Sequence, residues 1–195
     1  MVTEDLHTIT KTQTGFKLSA SKYIDTLRAR FFPSGVTHAG YKVPADKDLP
    51  SIVISAAEKK TAPDPQLLQR CQCLIGSLMF ATNARPDIQY TVSQLARCMA
   101  WPDANIEAAA ERCLIYLIGT QDLGLHYERV AEDPVMHDKT KHILRKELKI
   151  RELVESGEVK VEYVESLKNF ADFFTKPLPR KEFESFRKEI MNDTA

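Results

Sequence analysis

Residues 74–102, LIGSLMFATNARPDIQYTVSQLARCMAWP, decide the fold, because two helical patterns meet there at one break. Upstream, Leu67, Leu68, Cys71, Leu74, Ile75, Leu78 and Met79 recur at the three- and four-residue steps of one helix face. Downstream, Ile88, Val92, Leu95, Ala96 and Met99 do the same. Between them, Thr82-Asn83-Ala84-Arg85-Pro86-Asp87 supplies the stop and the restart. The residue before a proline is pushed out of the α region, and proline suits the first turn of the next helix. The spacing predicts a helical hairpin, with Gly76 and Ser77 small enough to admit a close backbone.

Outward from the hairpin the signals stay helical. Asp64-Pro65 offers a capping carboxylate and a first-turn proline, and Asp103 caps a third helix over 105–118. Its buried face is Ile106, Ala109, Ala110, Cys113, Leu114 and Leu117, Gly119 ends it, and 124–127 reads as a strand. Toward the N-terminus, 8–18 alternates as a hairpin or edge strand turning at Gln13-Thr14-Gly15. Ser19 or Ser21 caps a helix through Phe31 whose stripe is Tyr23, Ile24, Leu27 and Phe31. Residues 32–63 hold Pro33, Gly35, Gly40, Pro44, Pro50 and Pro63, and read as a linker in which Lys59-Lys60 is a solvated basic spot. Beyond 136 the pattern is a charged amphipathic helix over 139–156, a strand over 159–164 and a short helix from an Asn169 cap through Thr175. A last helix carries Phe183, Phe186 and Ile190 on one side.

Composition narrows the function. Lys+Arg and Asp+Glu both number 27, so no basic excess advertises a polyanion partner. The opening MVTEDLHTITK is polar and acidic, unlike a secretory leader, and no apolar run is long enough to span a bilayer. Cys71, Cys73, Cys98 and Cys113 include no C-x-x-C pair and fall on helices, so buried reduced thiols are expected, in a cytoplasmic or nuclear setting. His137 and His142 stand five apart without a third ligand and read as surface or helix-start residues. Trp101, before Pro102, reads as a hydrophobic plug.

Several blocks carry a resemblance. Gly76-Ser77-Leu78-Met79, Arg85-Pro86-Asp87-Ile88 and Val92-Ser93-Gln94-Leu95, with Arg97 and Met99, resemble the segment that follows the reverse transcriptase in Ty1/copia-type retrotransposon Pol polyproteins. Leu18, Lys22, Tyr23, Ile24, Leu27 and Phe31 resemble the family's thumb segment, with Ala20 where the family has glutamine. Arg112, Leu114, Tyr116, Leu117, Gly119, Thr120, Gly124, Leu125 and Tyr127 match its A-x-x-R-x-L-x-Y-L-x-G-T-x-x-x-G-L-x-Y block. The chain then skips the family's S-D-A-D-W, T-E-A-E-Y and C-D-N segments. It resumes on the family's C-terminal end, with matches at His137, Thr140–Ile143, Arg151–Leu153, Gly157, Tyr163, Val164, Ala171, Asp172 and Thr175–Leu178, while Leu144 replaces the usual aspartate.

The resemblance implies an α+β, mostly helical fold: a central helical hairpin plus a third helix, a few short strands, and the remnant of an RNase H-like C-terminal unit. It implies four segments, with 1–31 as the end of a thumb, 32–63 as linker, 64–130 as helical tether and 131–195 as RNase H tail. The family's activities are RNA-directed DNA synthesis and RNA cleavage in RNA–DNA hybrids with Mg²⁺. RNase H chemistry needs clustered carboxylates around two metal ions. Here Asp172 alone matches a family ligand, an isolated remnant that reads rather as a capping or surface residue, and no two aspartates are adjacent anywhere. A lone carboxylate holds Mg²⁺ weakly, so an inactive chain without cofactor is expected. An RNA–DNA hybrid is the family's partner and is expected to bind weakly or not at all. The alternative is a helical protein-interaction module without nucleic-acid chemistry, meeting a protein partner through an exposed helical or strand surface; no membrane is expected as a partner. Residues 136–195, deprived of partner strands, are expected to pack poorly.

Overall fold

The computed structural model describes residues 8–12, 15–36, 40–128, 164–165 and 168–191. Among them lie seven α-helices and a three-stranded antiparallel sheet, the mostly helical α+β class expected from sequence. The elements are β1 (Thr8–Lys11), β2 (Gly15–Ser19), α1 (Ser21–Phe31), α2 (Leu49–Lys59), α3 (Pro65–Ala81), a 3-10 turn (Pro86–Ile88), α4 (Gln89–Ala96) and α5 (Ala104–Gly119). After them come β3 (Gly124–Glu128), α6 (Phe170–Thr175) and α7 (Arg180–Met191).

Helix α5 is the axis of the body: α1, α2, α3 and α4 all pack against it. Its apolar residues nearly encircle it, and Ile106, Ala110, Cys113, Leu114, Tyr116 and Leu117 are all buried. Such a helix cannot lie on a surface and must be wrapped by others. Helix α3 buries Cys71, Leu74, Ile75, Leu78 and Ala81, the predicted stripe, while Met79 at its margin stays exposed. Both helices start as read from sequence. The Asp64 carboxylate accepts from the amides of Gln66 and Leu67, and that of Asp103 from Asn105 and Ile106. Each satisfies amides that a helix N-terminus leaves unpaired. Arg70 of α3 then reaches across to Glu107, at 3.0 Å, and to Glu111 of α5.

The sheet joins chain ends about a hundred residues apart. Strand β2 pairs with β1 on one side and β3 on the other, in a register that sets Ile9 opposite Leu18, Phe16 opposite Tyr127 and Leu18 opposite Leu125. Loop closure over so long a span costs entropy, which grows slowly with length. Two polar stitches help to hold it: Lys17 Nζ donates to the Asp122 carbonyl at 2.7 Å and Ser21 Oγ to the Gln121 carbonyl at 2.9 Å. Gly124 is obligatory at this junction, because a Cβ there would lie 2.5 Å from the Leu18 carbonyl oxygen. The hairpin connection itself is closed by the Thr12 amide donating to the Gly15 carbonyl, the two residues between lying outside the described ones.

Four expectations change. The stretch 32–63, read as a linker, contains α2, whose Leu49, Val53 and Ala56 are buried against α4 and α5. Pro50 misled, since it sits in the first turn, where a missing N–H costs nothing. Neither Ser19 nor Ser21 caps α1: Ala20 occupies the cap position without a side-chain bond, and Ser21 serves the sheet junction instead. Gly76 admits no close backbone, for it is exposed with no atom near a Cβ built on it; the tight approach is Gly40 against Gly119. Finally, the described part of the tail packs well. Phe173, Phe183, Phe186 and Met191 are buried, and α6 and α7 lie against α4 and β3. The helix over 139–156, most of the strand over 159–164, and His137 and His142 lie outside the described residues.

Candidate functional site

The break that stops α3 and starts α4 is built around a fully buried ion pair. Arg85 is wholly inaccessible and Asp87 nearly so. Its guanidinium grips the Asp87 carboxylate bidentately, Nε to Oδ1 at 2.9 Å and Nη2 to Oδ2 at 2.7 Å. The remaining donors turn to Thr120 at the end of α5: Nη1 reaches its carbonyl at 2.8 Å and Nη2 its Oγ1 at 2.7 Å. Thr120 in turn donates to the Tyr116 carbonyl, and the Tyr116 hydroxyl donates to Asp87 Oδ2 at 2.6 Å. Arg187 of α7 closes the network by donating from Nη1 to the Tyr116 hydroxyl at 3.3 Å.

The electrostatics follow from the geometry. Burial pushes the Asp87 carboxyl up, but the Arg85 charge and the hydrogen bonds from Arg85 and Tyr116 outweigh it and hold it below the usual carboxylate range. Burial opposes the Arg85 charge too, and Asp87 more than offsets it, so the guanidinium stays protonated. Tyr116 is raised, first by burial and then by the Asp87 charge, and remains a neutral donor. Within the Arg85–Asp87 pair the two charges match, whereas Arg187 adds a second cation whose buried Nε has no hydrogen-bond partner. Such a site pins chain geometry; it offers no nucleophile and no open ligand position.

Asp172 stands elsewhere, in the first turn of α6. Its Oδ2 takes the Lys176 ammonium at 2.9 Å and its Oδ1 the Asn169 amide at 3.2 Å, while Asn169 caps the helix as predicted by accepting from the Ala171 amide. The carboxylate therefore has local partners of its own, and no group of three potential metal-ligating side chains occurs among the described residues. Between Asp87 and Lys176 lies a cavity of about 220 Å³ between the 43–47 loop and the turn joining α6 to α7, walled by Thr91, Phe173 and Phe183.

Other singled-out residues have structural places. Val92 and Leu95 are buried, whereas Ser93 is exposed and bonds the Tyr90 carbonyl. Arg112 lies over the Tyr41 ring at 4.1 Å and pairs with Asp46 at 3.3 Å, pinning the segment that precedes α2 onto α5. Cys71, Cys98 and Cys113 are buried free thiols and Cys73 is half-buried. Burial, with Glu107 nearby, pushes Cys71 up to about 11. Trp101 is 37% exposed, with the Lys60 ammonium 5.2 Å from its ring, so it is only half a plug. Arg187 carried no signal in the sequence; only its place on the inner side of α7 reveals it.

Sequence comparison gives this arrangement relatives. The retrovirus-related Pol polyprotein from transposon RE1 of Arabidopsis thaliana is 30% identical over 116 residues, which is 60% of this chain and 7% of that protein. The transposon Ty5-1 protein of Saccharomyces cerevisiae is 38% identical over 68 residues, 34% of this chain and 22% of that protein. The chain is a relative of retrotransposon Pol proteins and spans less than a quarter of the length of either one. No family profile and no solved structure matches it. No helix among the described residues is long and apolar enough to cross a membrane.

Proposed function

We propose that this chain is an internally deleted Ty1/copia-type Pol fragment. It keeps the end of the polymerase thumb, the helical tether and the tail of RNase H, and is catalytically inactive. One observation carries the reading. Two separate sequence blocks that resemble the family, R-P-D-I and Y-L-x-G-T, meet in space as Arg85, Asp87, Tyr116 and Thr120 of a single buried knot. Residues that match because of common descent should keep such joint constraints, and chance matches should not. The chemistry of the ancestor needs clustered carboxylates, and the one matching carboxylate, Asp172, is occupied by Lys176 and Asn169.

The test is direct. Purified chain is incubated with a primed template and with an RNA–DNA hybrid, in Mg²⁺ and in Mn²⁺, and neither extension nor cleavage is expected. Turnover abolished by Asp172→Asn would overturn the reading.

A second reading, a module that packs on a protein partner, is favoured by the sheet. Its outer face carries Ile9, Phe16, Leu18 and Tyr127 around an open apolar hollow of about 360 Å³. Absence of RNA–DNA hybrid binding at low salt would exclude nucleic acid under either reading.

A further inference from the structure

We propose that α6–α7 form a lid over the Arg85–Asp87 pair, latched by Arg187 through the Tyr116 hydroxyl, so that the docked lid and the intact ion pair depend on each other. The inference uses only the packing and stands or falls apart from the Pol reading.

Three observations converge on it. First, the Tyr116 hydroxyl is a two-way joint: it donates to Asp87 at 2.6 Å and accepts from Arg187 at 3.3 Å. This single oxygen connects a helix of the body, a charge at its heart and the last helix of the chain. Second, aromatic rings continue the same contact. Phe183 meets the Tyr116 ring edge-on at 6.1 Å and stacks on Phe173 at 5.1 Å, and Phe186 lies beside Phe173 at 6.4 Å. Third, Phe173 and Phe183 wall the cavity onto which Asp87 faces. The cavity already opens to solvent past Lys47 and Lys176, so loss of those rings widens the path to the carboxylate. Water would then reach the carboxylate whose interaction with Arg85 owes its strength to exclusion of water. Among the described residues polar links between α6–α7 and the body are few, so the lid should open as a local unit below the global stability.

Exchange experiments on the full chain test the proposal through Arg187→Met, Tyr116→Phe and the double variant. Each single change should speed amide exchange over 168–191 about tenfold, and α3 amides should keep their protection. The double variant should be no faster than the faster single one, since both cut one connection. The second readout is the Arg85 Nε proton, which donates to Asp87 Oδ1 and can be followed by ¹⁵N NMR. It should exchange faster in Arg187→Met and in Phe183→Ala, neither of which touches the ion pair itself. Additive effects, equal acceleration of α3 and 168–191, or an Arg85 proton that stays protected while 168–191 opens would each overturn the lid. If Tyr116→Phe does not fold, Arg187→Met at the half-buried end of the latch still decides the matter by both readouts.

Discussion

Two aspartates, each at the heart of a sequence block that resembles the same family, have opposite surroundings in this molecule. Asp87 sits at the junction of α3, α4 and α5 with a side chain of zero exposure, bound by Arg85 and Tyr116. Asp172 sits in the first turn of α6 with its side chain 14% exposed, paired four residues along with a Lys176 that is itself 61% exposed. One is wired into tertiary structure and the other into a single helical turn. The difference teaches where constraint resides in this chain. The Asp87 block is held by partners from across the fold, whereas Asp172 has, among the described residues, no cluster of metal-ligating side chains around it.

The largest expected effect comes from breaking the tertiary pair. Asp87→Asn leaves the Arg85 guanidinium buried without a counter-charge, and loss of one partner of a buried pair typically costs about 3–5 kcal/mol. Urea denaturation should show that loss, or no folded protein. Replacing both groups, as in Arg85→Met with Asp87→Leu, should recover part of it, because the desolvation cost of the charges goes as well. Full tolerance of Asp87→Asn would erase the contrast between the two aspartates.

Next come the apolar walls around the knot. Leu78 of α3 and Leu95 of α4 are both fully buried. Leu78→Ala or Leu95→Ala should each cost about 2–5 kcal/mol, the spread reflecting how far each site can collapse. A loss well under 1 kcal/mol at both would mean that the body is packed no more tightly than the periphery.

How much of this was legible beforehand depended on whether the signal was local. The stripe of α3, the caps Asp64 and Asp103, the Asn169 cap and the Phe183–Phe186 face all rest on spacing within one helix, and all are present. Helix α2 escaped because Pro50 reads as a breaker unless the helix start is known, and its stripe of Leu49, Val53 and Ala56 is only three residues long. The pairing of β2 with β3 was invisible for another reason. Gly15–Ser19 and Gly124–Glu128 each look like an edge strand, and nothing local says that they meet across five helices. The ion pair was half visible. Thr82–Asp87 reads as a helix break, which it is, but two charges flanking a proline usually mark a solvated loop. Burial of both depends on Tyr116 and Thr120, which approach only when α5 packs.

Acid should sharpen the comparison. Because the folded-state pKa of Asp87 is depressed, the stabilisation it brings is complete above its unfolded value of about 3.9 and is lost as pH falls through the lower folded value. Thermal unfolding followed from pH 6 down to pH 2 should therefore show a falling Tm below about pH 4. Asp87→Asn should start lower and lose that part of the slope. An unchanged slope would assign the acid sensitivity to other carboxylates.

The smallest effect belongs to Asp172. Its bond to Lys176 spans four residues on one helix, and pairs of this kind with an exposed partner contribute about 0.2–1 kcal/mol at most. Asp172→Asn keeps an oxygen that can accept from the Asn169 amide and loses only the charge presented to Lys176. The cap itself does not depend on Asp172, because Asn169 bonds the Ala171 amide with its own carbonyl oxygen. The expected loss is under about 1 kcal/mol by urea denaturation, and it should shrink further in high salt, where exposed charges are screened. Asn169→Ala is the matched control, expected to cost about 0.5–2 kcal/mol as a lost cap. If Asp172→Asn instead costs as much as Asp87→Asn, then α6 is held by its acid through contacts as far-reaching as those of the knot. The contrast between a tertiary and a local aspartate would then have to be abandoned.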